Sequence, residues 1–180
     1  MTTALLVIDI QRDYFDGGAM RLPRADAAAS QAAQVLSSYR SAGSLVVHLQ
    51  HVWDAPDATF MIPGTPGVEI HPDAAPRDGE PVLTKELPNG FIGTDLEKLL
   101  REHGITALTI AGMMTNMCVD ATARAASDLS FEVTVVHDAC AAADLEFGDV
   151  SVPADQVHAA FMAALADAYA TVVSADELVV

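Results

Sequence analysis

The chain has 180 residues, of which 51% are hydrophobic and 19% are charged. This length and composition predict a single domain over residues 1–180 that buries a substantial core. Nine basic residues against 25 acidic ones give a formal net charge of −16, which argues against nucleic acid and anionic membranes as partners, because both bind positively charged surfaces.

The first half of the chain alternates between short apolar runs and an alanine-rich stretch. The run ALLVIDI at 4–10 has no helical period and is typical of a buried strand. The alanine-rich stretch at 25–43 predicts a helix that ends at Gly43. Two further strands are predicted at 44–52 and 81–85.

The second half continues this alternation. The stretch 94–104 predicts a helix with a capping box formed by Thr94 and Glu97 and a glycine at its end. There follow a strand at 107–112, a helix over 117–129, a strand at 131–138, a helix at 151–170 with proline in its first turn, and a strand at 171–173. Strands that alternate with helices predict an α/β fold, here a three-layer α/β/α domain with a six-stranded, mostly parallel sheet.

The segment 53–80 interrupts the pattern. It contains five prolines and few apolar pairs, so we expect a surface loop. Loops of this length inside a compact domain are more often functional than idle. The sequence leaves open whether the loop is a lid or part of a subunit interface.

The sequence also bears on location and on the two cysteines. No signal peptide is evident and no stretch approaches the roughly 20 apolar residues of a membrane span, so we expect a cytoplasmic location. There a disulfide between Cys118 and Cys140 is not expected. Cys140 lies among small residues, which predicts inert packing.

Three chemically reactive residue types fall at the carboxyl ends of predicted strands. Asp9 ends the first strand, Lys85 ends the third, and Cys118 follows the fourth across a short turn. Each alone has a plain interpretation as a cap, a solvent-exposed charge or a packing residue. Together they indicate a site, because parallel strands bring these ends to one edge of the sheet, where ligands bind.

The three residue types suit nucleophilic catalysis. A cysteine attacks as thiolate, and an ordinary thiol is mostly protonated at neutral pH. Thr115 is the predicted N-cap of the following helix, so the positive end of that helix would favour a thiolate at Cys118. Lys85 would add to this effect, and Asp9 could accept the thiol proton and return it to a leaving group. No histidine is expected at an equivalent strand end, so a Cys-His pair is not predicted.

Four segments resemble the isochorismatase-like cysteine hydrolases, a family that includes nicotinamidases, N-carbamoylsarcosine amidases and streptothricin hydrolase. They are LLVIDIQRDYF (5–15), GTPGVEIHPDAAP (64–76), LTKELPNGF (83–91) and GMMTNMCVDATARAA (112–126). The resemblance covers nearly the whole chain, and its separated motifs occur in the expected order.

The resemblance implies a catalytic triad of Asp9, Lys85 and Cys118. It implies an oxyanion hole formed by the backbone N–H groups of Met114 and Cys118, with a cis peptide bond between Met113 and Met114. It also implies a homodimer or larger homo-oligomer.

The sequence departs from the nicotinamidases where those enzymes hold a metal. Their Asp-x-His motif after the second strand is absent from HLQHVWDAPDATF (48–60). His48 and His51, three residues apart on a strand, would face opposite sides of the sheet, which is poor geometry for sharing a metal. We therefore expect structural histidines, with no metal and no cofactor.

The substrate is expected to be a small molecule. Candidate contacts are the residues expected around the nucleophile, namely Gln11, Phe15, Trp53, Phe60, Phe91, Met113, Asn116 and Met117. True isochorismatases cleave a vinyl ether and can lack the cysteine, so the presence of Cys118 favours hydrolysis of a C–N bond in an amide, carbamoyl or lactam-like substrate. The alternatives are ether or ester hydrolysis, or a thiol sensor without turnover.

Overall fold

A six-stranded parallel sheet forms the centre of the structure, a computed structural model that describes residues 2–180. Its strands are β1 (Thr3–Ile8), β2 (Leu45–His51), β3 (Val82–Lys85), β4 (Ala107–Met113), β5 (Glu132–Ala141) and β8 (Thr171–Val173). Their order across the sheet is β3-β2-β1-β4-β5-β8. A separate antiparallel hairpin consists of β6 (Leu145–Phe147) and β7 (Val150–Val152). The helices are α1 (Ala25–Ser41), α2 (Leu96–Glu102), α3 (Asp120–Asp128) and α4 (Ala154–Ala168).

Helices cover both faces of the sheet, which confirms the predicted α/β/α fold. Because successive side chains of a strand point to opposite faces, Leu5 and Val7 pack with α1 in one core, whereas Leu6 and Ile8 pack with α2, α3 and α4 in the other. Because β1, β2, β3 and β4 are parallel, their carboxyl ends lie at the same edge of the sheet.

Two predicted helix starts are wrong. The helix predicted at 94–104 is α2, whose N-cap is Asp95. The Thr94 hydroxyl donates to the Gly90 carbonyl and accepts from the Leu96 N–H, so it is already used and no capping box with Glu97 forms. The helix predicted from residue 151 begins at Ala154, because residues 150–152 pair with 145–147 in the hairpin.

The segment 53–80 is only partly a surface loop. It contains short 3-10 turns at Pro66–Val68 and Pro72–Ala74. Met61 and Ala74 are fully buried against the α1 core, so the segment packs on the domain at two points. None of the helices within residues 2–180 is both long and apolar enough to cross a membrane.

Candidate active site

The three strand-end residues meet in the structure. The Lys85 Nζ atom lies 2.7 Å from Asp9 Oδ2 and 3.2 Å from Cys118 Sγ. All three residues are nearly inaccessible, with 0%, 2% and 5% of the surface of Asp9, Lys85 and Cys118 exposed. A carboxylate, an ammonium and a thiol therefore share one small enclosure with little solvent.

Asp9 holds an unusual backbone conformation. Its φ of 49° lies in the left-handed region, which aspartate tolerates better than most residues. This conformation ends β1 at Ile8, two residues before the predicted end of the strand, and departures of this kind cluster at functional sites. Among the described residues, Asp9 Oδ1 has no hydrogen-bond partner.

Cys118 lies in a single π-helical turn, Thr115–Val119, that precedes α3. The Val119 N–H donates to the Met114 carbonyl at 3.2 Å, the wider bond that defines this turn. The prediction that Thr115 is the N-cap is wrong. The N-cap of this turn is Met114, and the Thr115 hydroxyl pairs with His158 Nδ1 at 2.9 Å. The peptide bond between Met113 and Met114 is cis.

The strand leading into this turn approaches β1 closely at Gly112. Its φ is +140°, and a Cβ atom there would overlap the backbone carbonyl of Ile8. Glycine is therefore required for β4 to run beside β1 at this point. This close contact between Gly112 and Ile8 fixes where the π-helical turn that carries Cys118 begins relative to Asp9, the residue after Ile8.

The pKa of the Cys118 thiol is raised, against the expectation from sequence. Burial is the largest cause, because it disfavours the charged thiolate, and the Asp9 carboxylate adds to it. Lys85 opposes both by lowering the pKa. Burial and the neighbouring Asp9 therefore favour the protonated thiol.

Two residues of the enclosure were not predicted. His51 ends β2, and its Nδ1 atom lies 3.2 Å from Lys85 Nζ, so a histidine does occupy an equivalent strand end. Tyr14 is buried with its pKa raised, first by burial and then by the charges of Asp9 and Cys118. His51 could have been found by applying the strand-end rule to β2.

Ligand atoms of Asp9, His51 and Cys118 lie within 4.8 Å of one another, a spacing that could hold a metal ion. The Lys85 ammonium, however, contacts all three residues. A positive charge belonging to the chain itself thus occupies this cluster. His48 is on the opposite face of β2 and pairs with Glu80 at 3.0 Å.

Several predicted substrate contacts are engaged with the protein itself. The Gln11 side chain hydrogen-bonds the backbone of His51 and Val68. Phe15 stacks on His71 with ring centroids 3.8 Å apart, and Met113 is fully buried. These contacts favour positioning and packing roles over direct binding.

The other predicted contacts are more accessible. Trp53 and Phe60 pack edge to face at 5.4 Å, and both are only partly buried. Met117, beside the nucleophile, is 43% exposed. Phe91 packs against Phe131.

Asn116 completes the predicted set. Its Oδ1 atom is buried without a hydrogen-bond partner in the described chain. A buried acceptor without a partner is energetically unfavourable, so a hydrogen bond from a ligand donor to this oxygen would stabilise the complex. Asn116 is therefore the predicted contact with an unused polar atom.

Known proteins resemble this chain over nearly its whole length. The model of the isochorismatase domain matches residues 3–177. The isochorismatase family protein YddQ of Bacillus subtilis is 49% identical over 172 residues, which are 96% of each chain. The chain belongs to the isochorismatase family.

Members of the family share this fold in solved structures. The crystal structure of an isochorismatase hydrolase from Oleispira antarctica superposes with a TM-score of 0.94 at 51% identity, covering 98% of this chain and 95% of the other. The resemblance recognised in the sequence is confirmed.

Some relatives carry names that state an activity. Streptothricin hydrolase of Streptomyces noursei is 40% identical over 79% of this chain and 50% of its own length. Maleamate amidohydrolase of Pseudomonas putida is 34% identical over 75% of this chain and 70% of its own. This chain is thus an isochorismatase-family hydrolase with amidohydrolase relatives.

Proposed function

We propose that the protein is a cysteine-dependent hydrolase that cleaves the C–N bond of a small amide, carbamoyl or lactam-like substrate through a thioester, without a cofactor. The observation that carries the proposal is the enclosure in which Lys85 Nζ contacts both Asp9 Oδ2 and Cys118 Sγ. The amidohydrolase name of one relative supports the choice of bond.

The first half-reaction begins with the protonated thiol. Asp9 accepts the proton of Cys118 as the sulfur attacks the carbonyl carbon, and Lys85 stabilises the sulfur as its negative charge develops. The N–H groups of Met114 and Cys118 stabilise the oxyanion. Asp9 then protonates the leaving nitrogen, the C–N bond breaks, and an amine or ammonia departs.

The second half-reaction restores the enzyme. Asp9 removes a proton from water as the water oxygen attacks the thioester carbon. The C–S bond breaks, the sulfur takes back a proton, and the acid product leaves. A raised thiol pKa fits this scheme, because Asp9 needs the proton that it later gives to the nitrogen.

The thiol sensor fits the site less well. Sensor cysteines are exposed and have lowered pKa values, whereas Cys118 is 5% exposed and its pKa is raised. Ether or ester hydrolysis could use the same arrangement of Asp9, Lys85 and Cys118. Only the reaction products distinguish it from amide hydrolysis.

Ammonia release from a panel of small amides, ureido acids and lactams tests the proposal. The wild-type protein should hydrolyse at least one of them, Cys118→Ala should lose all turnover, and Cys140→Ser should lose little. Cys140 is the second free thiol of the described chain and is also buried, but it lies on β5, so Cys140→Ser is the matched control. Cleavage of ethers or esters only would favour the alternative.

We further propose that the protein is cytoplasmic and forms a homodimer or larger homo-oligomer. The family resemblance supports the assembly, and Leu87, Ile92 and Met117, which are between 43% and 51% exposed on the segments that carry Lys85 and Cys118, offer apolar surface for a contact between subunits. Sedimentation at micromolar concentration should show a dimer or larger species, and a monomer would contradict the assembly.

A further inference from the structure

The Lys85 ammonium has more acceptors around it than hydrogens to give. Its Nζ atom lies 2.7 Å from Asp9 Oδ2 and 3.2 Å from each of His51 Nδ1, the Leu87 carbonyl oxygen and Cys118 Sγ. A lysine ammonium donates three hydrogen bonds and accepts none. The ammonium has no acceptor to offer, so an N–H at His51 Nδ1 would point at it without a partner. The 3.2 Å contact therefore favours the neutral tautomer in which Nδ1 presents its lone pair and Nε2 carries the proton.

The position of His51 is fixed by the backbone and by Gln11. His51 pairs in register with Lys85 across β2 and β3. Its N–H donates to Gln11 Oε1 at 2.8 Å, and its carbonyl accepts from Gln11 Nε2 at 2.8 Å. Gln11 is itself fully buried. Because Gln11 hydrogen-bonds both the N–H and the carbonyl of His51, it fixes the backbone from which the imidazole projects.

We propose that His51 is a positioning residue that holds the Lys85 ammonium toward Asp9 and Cys118 and releases it when the imidazole is protonated. An imidazolium has no acceptor to offer and places a second positive charge 3.2 Å from the ammonium. The inference rests on the proposed function, since it describes how the lysine of that site is held. It predicts a site that is assembled only while His51 is neutral.

The charges that face His51 support a neutral ring. Burial lowers its pKa most and the Lys85 ammonium lowers it further, whereas the Asp9 and Glu86 carboxylates raise it. The Cys118 thiol and the Tyr14 hydroxyl are further titratable groups of the enclosure, and the raised pKa of each favours its neutral form. The lowered pKa favours a neutral His51 at pH 7 and moves its protonation to more acidic pH.

Alkylation of Cys118 by iodoacetamide tests the inference without a substrate. All variants are made in a Cys140→Ser background, so that one thiol reacts. His51→Leu removes the acceptor, and the freed Lys85 should stabilise the thiolate less, which slows alkylation at pH 8 about tenfold. His51→Asn offers Oδ1 near the position of Nδ1 and should restore most of this rate. His103→Asn, on an exposed helix end, should behave like the parent.

The pH profile separates positioning from simple packing. In the parent, alkylation at pH values below the His51 pKa should fall more steeply with decreasing pH than thiol ionisation alone requires, because His51 protonation also releases Lys85. In His51→Asn this extra fall should disappear, since the amide does not titrate. An identical acid profile in His51→Asn, or parent-like alkylation in His51→Leu, would overturn the inference.

Nitrogen-15 NMR of the unmodified protein gives a second readout if His51→Leu does not fold. The His51 signals should show an unprotonated Nδ1 and a protonated Nε2 at pH 7, and the opposite tautomer would overturn the inference. Neither experiment requires turnover. A failure to hydrolyse any amide would thus reject the proposed function separately from the role of His51.

Discussion

Lys85 Nζ lies 2.7 Å from Asp9 Oδ2, and solvent reaches neither side chain. The two residues act on the third member of the enclosure in opposite directions, since Asp9 raises the pKa of the Cys118 thiol and Lys85 lowers it. Neutralising one charge or the other should therefore move the reactivity of the same sulfur in opposite directions.

Replacement of Lys85 by Met should raise the pKa of Cys118 further. The substitution keeps an unbranched side chain but removes the positive charge that stabilises the thiolate. We expect slower alkylation of Cys118 by iodoacetamide at every pH between 7 and 9, measured in a Cys140→Ser background. An unchanged rate would show that Lys85 does not act on the sulfur.

Replacement of Asp9 by Asn should lower the pKa of the same thiol and yet abolish catalysis. The amide removes the negative charge that opposes the thiolate, so alkylation should become faster. Turnover of an amide substrate should fall by about 10²–10⁴-fold, because the amide cannot carry the proton to the leaving nitrogen. Alkylation and turnover rates that fall together would contradict a proton-transfer role.

Gly112→Ala tests the close approach of β4 to β1. The new Cβ would overlap the backbone of Ile8, which belongs to a buried strand and cannot yield. We expect a loss of more than about 3 kcal/mol in the free energy of unfolding, or no folded protein. Gly43→Ala is the matched control, because Gly43 also has positive φ but has open space around it. It should cost about 1–2 kcal/mol, and equal losses in the two variants would contradict the clash.

The Glu80 cluster predicts a pH-dependent part of stability. Glu80 accepts two hydrogen bonds from Arg40 at 2.7 Å and contacts His48. Arg40 is the main cause that lowers the pKa of Glu80 to about 2. A carboxylate with a lowered pKa stabilises the fold above its unfolded value of 4.5, and this contribution is lost as the pH falls through about 2.

Glu80→Gln should therefore destabilise the protein by about 1.5–3 kcal/mol at pH 7 and by much less near pH 2.5. Urea unfolding at both pH values measures the difference. Glu69→Gln is the control, since the ion pair of Glu69 with Arg12 is about half exposed and contributes at most about 1 kcal/mol. A loss in Glu80→Gln that does not depend on pH would contradict the linkage.

The sequence predicts the sheet and its edge residues because both follow from local patterns. Apolar runs without helical period specify the strands. The parallel arrangement brings Asp9, Lys85 and the turn that carries Cys118 to one edge of the sheet. His51 is predicted as a structural histidine and not as a strand-end residue, because the apolar pattern extends the second strand to position 52, whereas β2 ends at His51.

The remaining errors depend on contacts between distant parts of the chain. Thr115 is a good N-cap residue by type, but its hydroxyl pairs with His158, 43 positions away. The direction of the Cys118 pKa depends on how completely the sulfur is buried, and no local pattern reports that. Residues 151 and 152 fall in the predicted helix because the proline at 153 also suits a first helical turn, whereas in the structure they pair with β6 in the hairpin.

The most direct test of the account is mass spectrometry of the protein quenched within one turnover of an amide that it hydrolyses. With enzyme in excess, a tryptic peptide containing Cys118 should gain the mass of the acyl group without the departing amine, and the gain should disappear on longer incubation. Release of the amine with Cys118 unmodified at every time point, or an adduct on another residue, would contradict catalysis through a Cys118 thioester.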